Sequence, residues 1–284
     1  MANILSGKDV AAALNANLVE RTAALQAKGV TPTLAIVRVG ENGSDLSYER
    51  GATKRAEAVG VKVVNFVLPV DCTKEDLVAV IKQVNADDSI HGCLMFRPLP
   101  AHLADDQNEI CNLLDPRKDV DSMNHLSNAG VYEGRSDLGF APCTAQACME
   151  ILDYYNIDLK GKNVCVIGHS LVVGRPAALL ALNRDATITN CHIFTKNTPE
   201  HSTKADVVIV AVGKAGLVSE KWLGEGQIVI DVGINVTAEG KIVGDVDKAA
   251  AEAKTAAYSP VPGGVGAVTT SVLMKHVVEA AERA

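Results

Sequence analysis

Short apolar runs alternate along this chain with longer segments in which apolar residues return at helical spacing, the pattern of strands and helices taking turns. Ser6 and Asp9 have capping-box spacing and open a first helix, with Val10, Leu14, Leu18 and Leu25 as its apolar stripe. Thr33 to Val39 reads as a buried strand and Gly40 to Gly43 as a turn. Ser44 or Asp45 then caps a helix running to about Val59. A strand at Val61 to Leu68 follows, then a helix opened by Thr73 and Asp76 and ending near Asn85, then a strand at Gly92 to Phe96 that stops at Pro98. This first unit extends to about Phe140.

A helix at Thr144 to Asn156 leads to a second series of strands, at Val164 to Ile167, Ala186 to Phe194, Asp206 to Val212 and Gln227 to Val232. Gly168, Gly213 and Gly233 stand just past three of their C-terminal ends, the edge where doubly wound sheets bind ligands. Strands alternating with helices imply parallel sheets joined by right-handed crossovers. The predicted fold class is α/β with two domains, the C-terminal one Rossmann-like and dinucleotide-binding.

The stretch from Lys162 to Pro176 carries the most chemistry. Its strand runs into a turn at Gly168 and then into a helix that Pro176 can begin. Such a turn brings backbone close to a diphosphate and presents free N–H groups to it, with Gly168, Ser170 and Gly174 in those roles. The spacing Gly-x-Ser-x-x-x-Gly also suits an ordinary strand-to-helix turn of any parallel α/β protein. Leu114 to Ser122 gathers three carboxylates and two cations, as a functional loop or a solvated linker. Asn124 to Phe140 reads as a long loop dotted with glycines, and Ser259 to Gly266 as a rigid wall fit to lie against a flat ligand.

Composition narrows the classes. A length of 284 residues with 48% hydrophobic positions suits one large or two medium domains. A net charge of −7 argues against nucleic acid or an anionic membrane as partner. With neither a membrane-length apolar run nor a signal-peptide core, the expected location is the cytoplasm. The seven cysteines are scattered without a Cys-x-x-Cys pair, which points to buried thiols rather than disulfides or a metal site.

Together these motifs resemble the methylenetetrahydrofolate dehydrogenase/cyclohydrolases. The resemblance runs through the Tyr48 helix, His91 to Pro100, Lys118-Asp-Val-Asp121, Pro142-Cys-Thr144, Gly168-x-Ser170 with Val173-Gly174-Arg175-Pro176, Asp231-Val-Gly-Ile-Asn235, Gly244-Asp245-Val246 and Pro260 to Gly266. It implies an N-terminal folate-binding catalytic domain over 1–143, a nucleotide domain over 144–268, a last helix over 269–284 packing back on the first domain, an interdomain cleft and a homodimer. The implied substrate is 5,10-methylenetetrahydrofolate, with Tyr48 stacking on its rings and Asp121 hydrogen-bonding the pterin. Phe96, Arg97, Pro262, Gly263, Gly264, Val265 and Gly266 would line the same site. Gly168, His169, Ser170, Val173, Gly174, Arg175, Ile193 and Ile234 would hold the dinucleotide.

The departures from the family pattern carry further expectations. Ala52 stands where the family's cyclohydrolase lysine should be, and Phe96 where its glutamine partner should be. A methyl group cannot move a proton. On a helix Lys54 lies on another face from Tyr48, while Arg55 shares the face but stays protonated. Cyclohydrolase activity is therefore expected to be lost or weak. His169 and Ile193 replace the groups that take a 2′-phosphate in the NADP-dependent members, so the expected cofactor is NAD before NADP. Arg97 is expected to grip a glutamate tail or to pair with Asp105 or Asp106. A non-catalytic folate- or dinucleotide-binding paralogue, and a bifunctional enzyme with a substitute proton relay, are the alternatives.

Overall fold

The computed structural model describes residues 2–284, which divide into two compact units, Ala13–Cys143 with Thr270–Ala284, and 2–12 with Thr144–Thr269. In chain order the elements are β1 (Asn3–Ile4), α1 (Gly7–Gln26), β2 (Thr33–Val39), α2 (Gly43–Val59), β3 (Lys62–Leu68), α3 (Lys74–Ala86), β4 (Gly92–Met95), α4 (Gln107–Leu113), α5 (His125–Glu133) and α6 (Cys143–Tyr154). They continue as β5 (Asn163–Ile167), α7 (Gly174–Leu182), β6 (Thr187–Cys191), α8 (Thr198–Ser202), β7 (Val207–Val210), β8 (Ile228–Asp231), β9 (Asn235–Val236), β10 (Ile242–Val243), α9 (Lys248–Lys254), β11 (Ala257–Tyr258) and α10 (Val265–Arg283).

The N-terminal unit is built on a parallel sheet of order β3-β2-β4. Central β2 is buried along nearly its whole length, as a parallel strand covered on both faces must be. Leu77, Ile81 and Val84 form the apolar stripe of α3 and are completely buried, each worth on the order of 1.5–3 kcal/mol. Thr73 and Asp76 close its capping box as predicted. The cap of α2 is Asn42, not Ser44 or Asp45: Gly43 is already helical, and the Ser44 N–H donates to Asn42 Oδ1 at 2.9 Å. At Gly92 a Cβ would lie 2.7 Å from Val120 and 2.9 Å from Val277, so only glycine lets β4, the 118–121 segment and α10 close up.

The charged segment after α4 is no solvated linker. Cys93 N–H donates to Lys118 O at 2.7 Å and Cys93 bridges Asp119 in parallel, which docks the segment along the edge of β4. Lys118 is buried, and its ammonium donates to the carbonyls of Val84 (2.8 Å), Asn85 (3.1 Å) and Asp87 (2.7 Å) at the C-terminal end of α3. Asp119, fully buried, accepts from Met123 N (2.9 Å), Asn124 N (2.7 Å) and Ser127 Oγ (2.7 Å). Asn124 in turn caps α5, a helix that Gly130 and Gly134 hid from the sequence reading. Because the carbonyls at the end of α3 depend on one ammonium, Lys118→Met should destabilise the protein by roughly 1–3 kcal/mol in urea denaturation. An unchanged midpoint would contradict that role.

The other unit carries a six-stranded parallel sheet of order β1-β11-β8-β7-β5-β6. Numbered from β5 and leaving β1 aside, this is the doubly wound order 2-1-3-4-5, whose switch point lies between β5 and β7. The first residues, expected in the N-terminal domain, belong here instead, because β1 pairs with β11. Two residues are too few to show a period of two. α10 begins at Val265, ahead of the predicted Thr269, and from Thr270 onward its residues cluster with the N-terminal unit. All seven cysteines are buried and unbridged, and among the described residues no helix is long and apolar enough to cross a membrane.

Candidate active site and nucleotide-binding turn

In the N-terminal unit the predicted residues collect past the C-terminal ends of the strands. Phe96 and Arg97 follow β4, Asp121 ends the segment docked beside it, and Tyr48 projects from α2. The Tyr48 and Phe96 rings meet edge to face at 5.9 Å. Burial pushes the Tyr48 hydroxyl well above the usual range, with Cys143 and Asp121 adding to it, so the group stays protonated and able to donate. Asp121 Oδ1 accepts the Cys143 N–H at 2.9 Å, and its other oxygen faces the Arg97 guanidinium at 3.8 Å. Burial raises the Asp121 pKa, opposed by the Cys143 N–H and by Arg97.

The expectation that Arg97 pairs with Asp105 or Asp106 is therefore corrected. Lys74 takes Asp106, at 2.9 Å, and Arg97 turns to Asp121. Ala52 is completely buried and Lys54 is exposed. Arg55 is half-buried, with a covered Nε that has no hydrogen-bond partner among the described residues.

The turn after β5 is shaped by close approach. Gly168 has φ 124°, and a Cβ there would run into the Ala211 carbonyl at the switch point. A Cβ on Gly174 would collide with Gly168 O and come within 2.7 Å of His169 N. Ser170 Oγ accepts from Val173 N (3.1 Å) and Gly174 N (3.4 Å), and the Arg175 Nε braces His169 O at 3.1 Å. Helix α7 thus starts from a turn of fixed shape, as a diphosphate site requires. Ile193 stands 86% exposed beyond β6. His192, which the sequence reading passed over, lies between them: its ring is 4.8 Å from that of His169.

Two buried carboxylates, Asp231 and Asp245, organise the loops that follow β7, β8 and β11. Asp245 accepts from the N–H groups of Val212 (2.7 Å), Gly213 (2.9 Å) and Lys214 (2.8 Å) and from Asn235 Nδ2 (2.9 Å). Asp231 accepts from Gly233 (2.9 Å), Asp245 (3.1 Å) and Val246 (3.0 Å), while its own N–H donates to Ser259 Oγ at 2.8 Å. Gly233 and Gly244 are required here, since a Cβ on either would strike one of the two carboxylates. What these loops enclose is an apolar cavity of about 300 Å³ whose wall includes Lys8, Ile234, Pro262, Gly263, Gly264 and Gly266. Its largely apolar lining, with four glycines and two prolines, leaves the backbone open to close approach by a ligand. Ile234 and Gly266 are neighbours, a Cβ on the glycine falling 3.2 Å from the isoleucine. Val265, expected beside them, is 2% exposed in the first turn of α10 and is not part of this cavity's wall. Lys8, which supplies the wall's positive charge, gave no signal in the sequence beyond its place near a cap.

Burial lifts Asp231 to about 6, against the hydrogen bonds it accepts. A carboxyl whose folded pKa exceeds its unfolded one favours the fold below pH ~4, and that contribution, on the order of 3 kcal/mol, is lost as pH rises through 6. The expected result is a carboxyl-carbon NMR titration of Asp231 with its midpoint near 6. A midpoint near that of a free aspartate would overturn it.

Fold and site together define a two-domain α/β protein with a doubly wound nucleotide-binding unit and an aromatic–carboxylate site on the edge of a second sheet. Residues 5–121 match the tetrahydrofolate dehydrogenase/cyclohydrolase catalytic domain, and residues 142–284 match the NAD(P)-binding domain of the same name. The chain belongs to the tetrahydrofolate dehydrogenase/cyclohydrolase family. It is 47% identical over 283 residues to the bifunctional protein FolD of Alkaliphilus metalliredigens, covering 100% of this chain and 99% of the relative. Among solved structures, that of the bifunctional FolD methylenetetrahydrofolate dehydrogenase/cyclohydrolase of Campylobacter jejuni superposes with a TM-score of 0.96 at 38% identity, covering 100% of this chain and 99% of the other. The dehydrogenase-cyclohydrolase FolD of Trypanosoma brucei, complexed with NADP cofactor and inhibitor, gives 0.91 at 32% identity over 99% and 98%.

Proposed function

We propose that this chain is a methylenetetrahydrofolate dehydrogenase that passes hydride from 5,10-methylenetetrahydrofolate to a nicotinamide dinucleotide, NAD in preference to NADP, with little cyclohydrolase activity. The observation that carries the reading is the pairing of a retained Tyr48–Asp121 site with a retained glycine turn at Gly168. Tyr48 offers a ring face to the pterin, and Asp121 accepts from the pterin's N–H groups, with its orientation set by Cys143 and Arg97. Gly168, Ser170 and Gly174 would hold the diphosphate, and Ile234, which shares a cavity with the Pro262–Gly264 wall, would also contact the dinucleotide. When bound, the nicotinamide supplies the hydride acceptor. The chain's own part is alignment, worth several orders of magnitude when the reacting atoms are held at ~3–3.5 Å.

Hydrolysis of the methenyl product needs a proton carrier, and support for its weakness comes from Ala52, from Phe96 packed against Tyr48, and from Lys54 turned to solvent. Losing general acid–base help costs roughly 10²–10⁴-fold. The test is an assay of purified protein with methylenetetrahydrofolate and each cofactor in turn, then of methenyltetrahydrofolate hydrolysis alone. Expected are nicotinamide reduction, a lower KM for NAD, and hydrolysis at least a hundredfold slower than the redox step. Comparable rates would refute the loss, and binding of both ligands without turnover would favour a non-catalytic paralogue.

A further inference from the structure

We propose that His276, on α10, is a positioning residue for Asp121: together with the Cys143 thiol it holds the Val120 carbonyl, and so fixes the direction in which the carboxylate meets the substrate. The inference deepens the folate-site reading above and rests on it.

Asp121 needs such support because the backbone leaves regular structure there. The docked segment bridges β4 at Asp119, and Ser122, one residue past the carboxylate, has φ 55°, a left-handed conformation that few non-glycine residues adopt. Between the bridge and the turn lies the peptide that joins Val120 to Asp121. Val120 is completely buried, so its carbonyl must find its donors within the protein. A rotation of this peptide would swing the Asp121 side chain away from the Cys143 N–H and from Arg97.

Two buried donors converge on that carbonyl. His276 Nδ1 lies 2.9 Å from Val120 O, and since a carbonyl only accepts, Nδ1 carries the proton. The Cys143 thiol donates to the same oxygen at 3.3 Å, with its sulfur 3.7 Å from Nδ1. A thiol is the weaker donor, which leaves the main hold to the imidazole. Cys143 is also the residue whose N–H binds Asp121 Oδ1, at 2.9 Å. Peptide and carboxylate are thereby fixed with respect to one another.

Packing alone does not call for a histidine at this place. Val272, Leu273, Met274, Val277 and Val278 around it on α10 are apolar and completely buried. A polar ring in such a row costs free energy unless its hydrogen bonds are made, and the bond made here is to the residue before Asp121. The ring is also held in place: His276 is 4% exposed and stacks on Phe140 at 4.8 Å and 29°, with the Arg283 guanidinium 4.7 Å over the Phe140 ring.

The experiment is steady-state kinetics of three full-length variants with 5,10-methylenetetrahydrofolate, with the Kd for NAD measured separately by fluorescence titration. His276→Leu should raise KM for methylenetetrahydrofolate about tenfold, the upper end of what one hydrogen bond contributes, with kcat changed far less and the Kd for NAD unchanged. In His276→Asn the amide nitrogen stands as many bonds from the backbone as Nδ1, so KM should return close to the native value. His276→Gln carries the same amide one bond further out and should leave KM high. Native KM values in all three variants, or equal effects of asparagine and glutamine, would overturn the inference while the folate reading stands. A parallel rise in the Kd for NAD would mark a general disturbance of the fold and overturn it as well. Should His276→Leu fail to fold, the comparison of asparagine with glutamine decides alone. Absence of nicotinamide reduction by the native protein with either cofactor would overturn the folate reading, and this inference with it.

Discussion

Exchanging Asp121 for asparagine should lower kcat/KM for methylenetetrahydrofolate at least a hundredfold while leaving the Kd for the dinucleotide unchanged. One carboxylate oxygen is engaged by the Cys143 N–H and the other faces Arg97. An amide in its place must present its NH2 either to Cys143 N–H or to the guanidinium, donor against donor. On the proposed function it would also forfeit a charge-assisted contact to the pterin. Together these amount to about 3 kcal/mol, or two decades in rate. Arg97→Leu is the companion experiment. Removing the cation lets burial act on Asp121 less opposed, so the acid limb of the kcat/KM profile should move to higher pH. If Asp121→Asn costs less than threefold, the carboxylate has no place in substrate binding.

Gly174→Val should abolish dinucleotide binding, at least a hundredfold in Kd by fluorescence titration, while the circular dichroism of the folded protein is retained. The new side chain would meet main-chain atoms of Gly168 and His169 rather than flexible tips, so the turn itself must open. Opening it breaks the Ser170 contacts with the N–H groups of Val173 and Gly174 and tilts the start of α7. A site made of backbone has no rotamer with which to adapt. Unchanged affinity for both dinucleotides would move the binding site away from this turn.

Much of this was legible in the sequence because parallel strands covered on both faces leave uninterrupted apolar runs. β2 was read to the residue, and β3 to within one. Asp121 was legible through the Lys118-Asp-Val-Asp121 motif, but the motif conceals a division of labour. Lys118 and Asp119 are buried fasteners, and only Asp121 remains partly accessible. Where the reading fell short, the determining contact lies far along the chain or the element is very short. β1 and β11 have two residues each. The Asp231–Asp245 pair joins two motifs that were quoted separately, and the meeting of His192 with His169 depends on the pairing of β5 with β6. Arg97 has acidic residues nearby in sequence, but Lys74 occupies Asp106, and the partner it reaches stands at the end of the docked segment.

The completely buried methyl of Ala52 bears on how this chain could change. Placing a lysine at this position would mean threading a four-carbon stem and an ammonium into a sealed interior, where a stranded cation is costly and neutralises itself instead. Phe96 and its neighbours would have to be rebuilt in the same step. A single substitution at this position is thus opposed by crowding rather than by the chemistry of lysine itself.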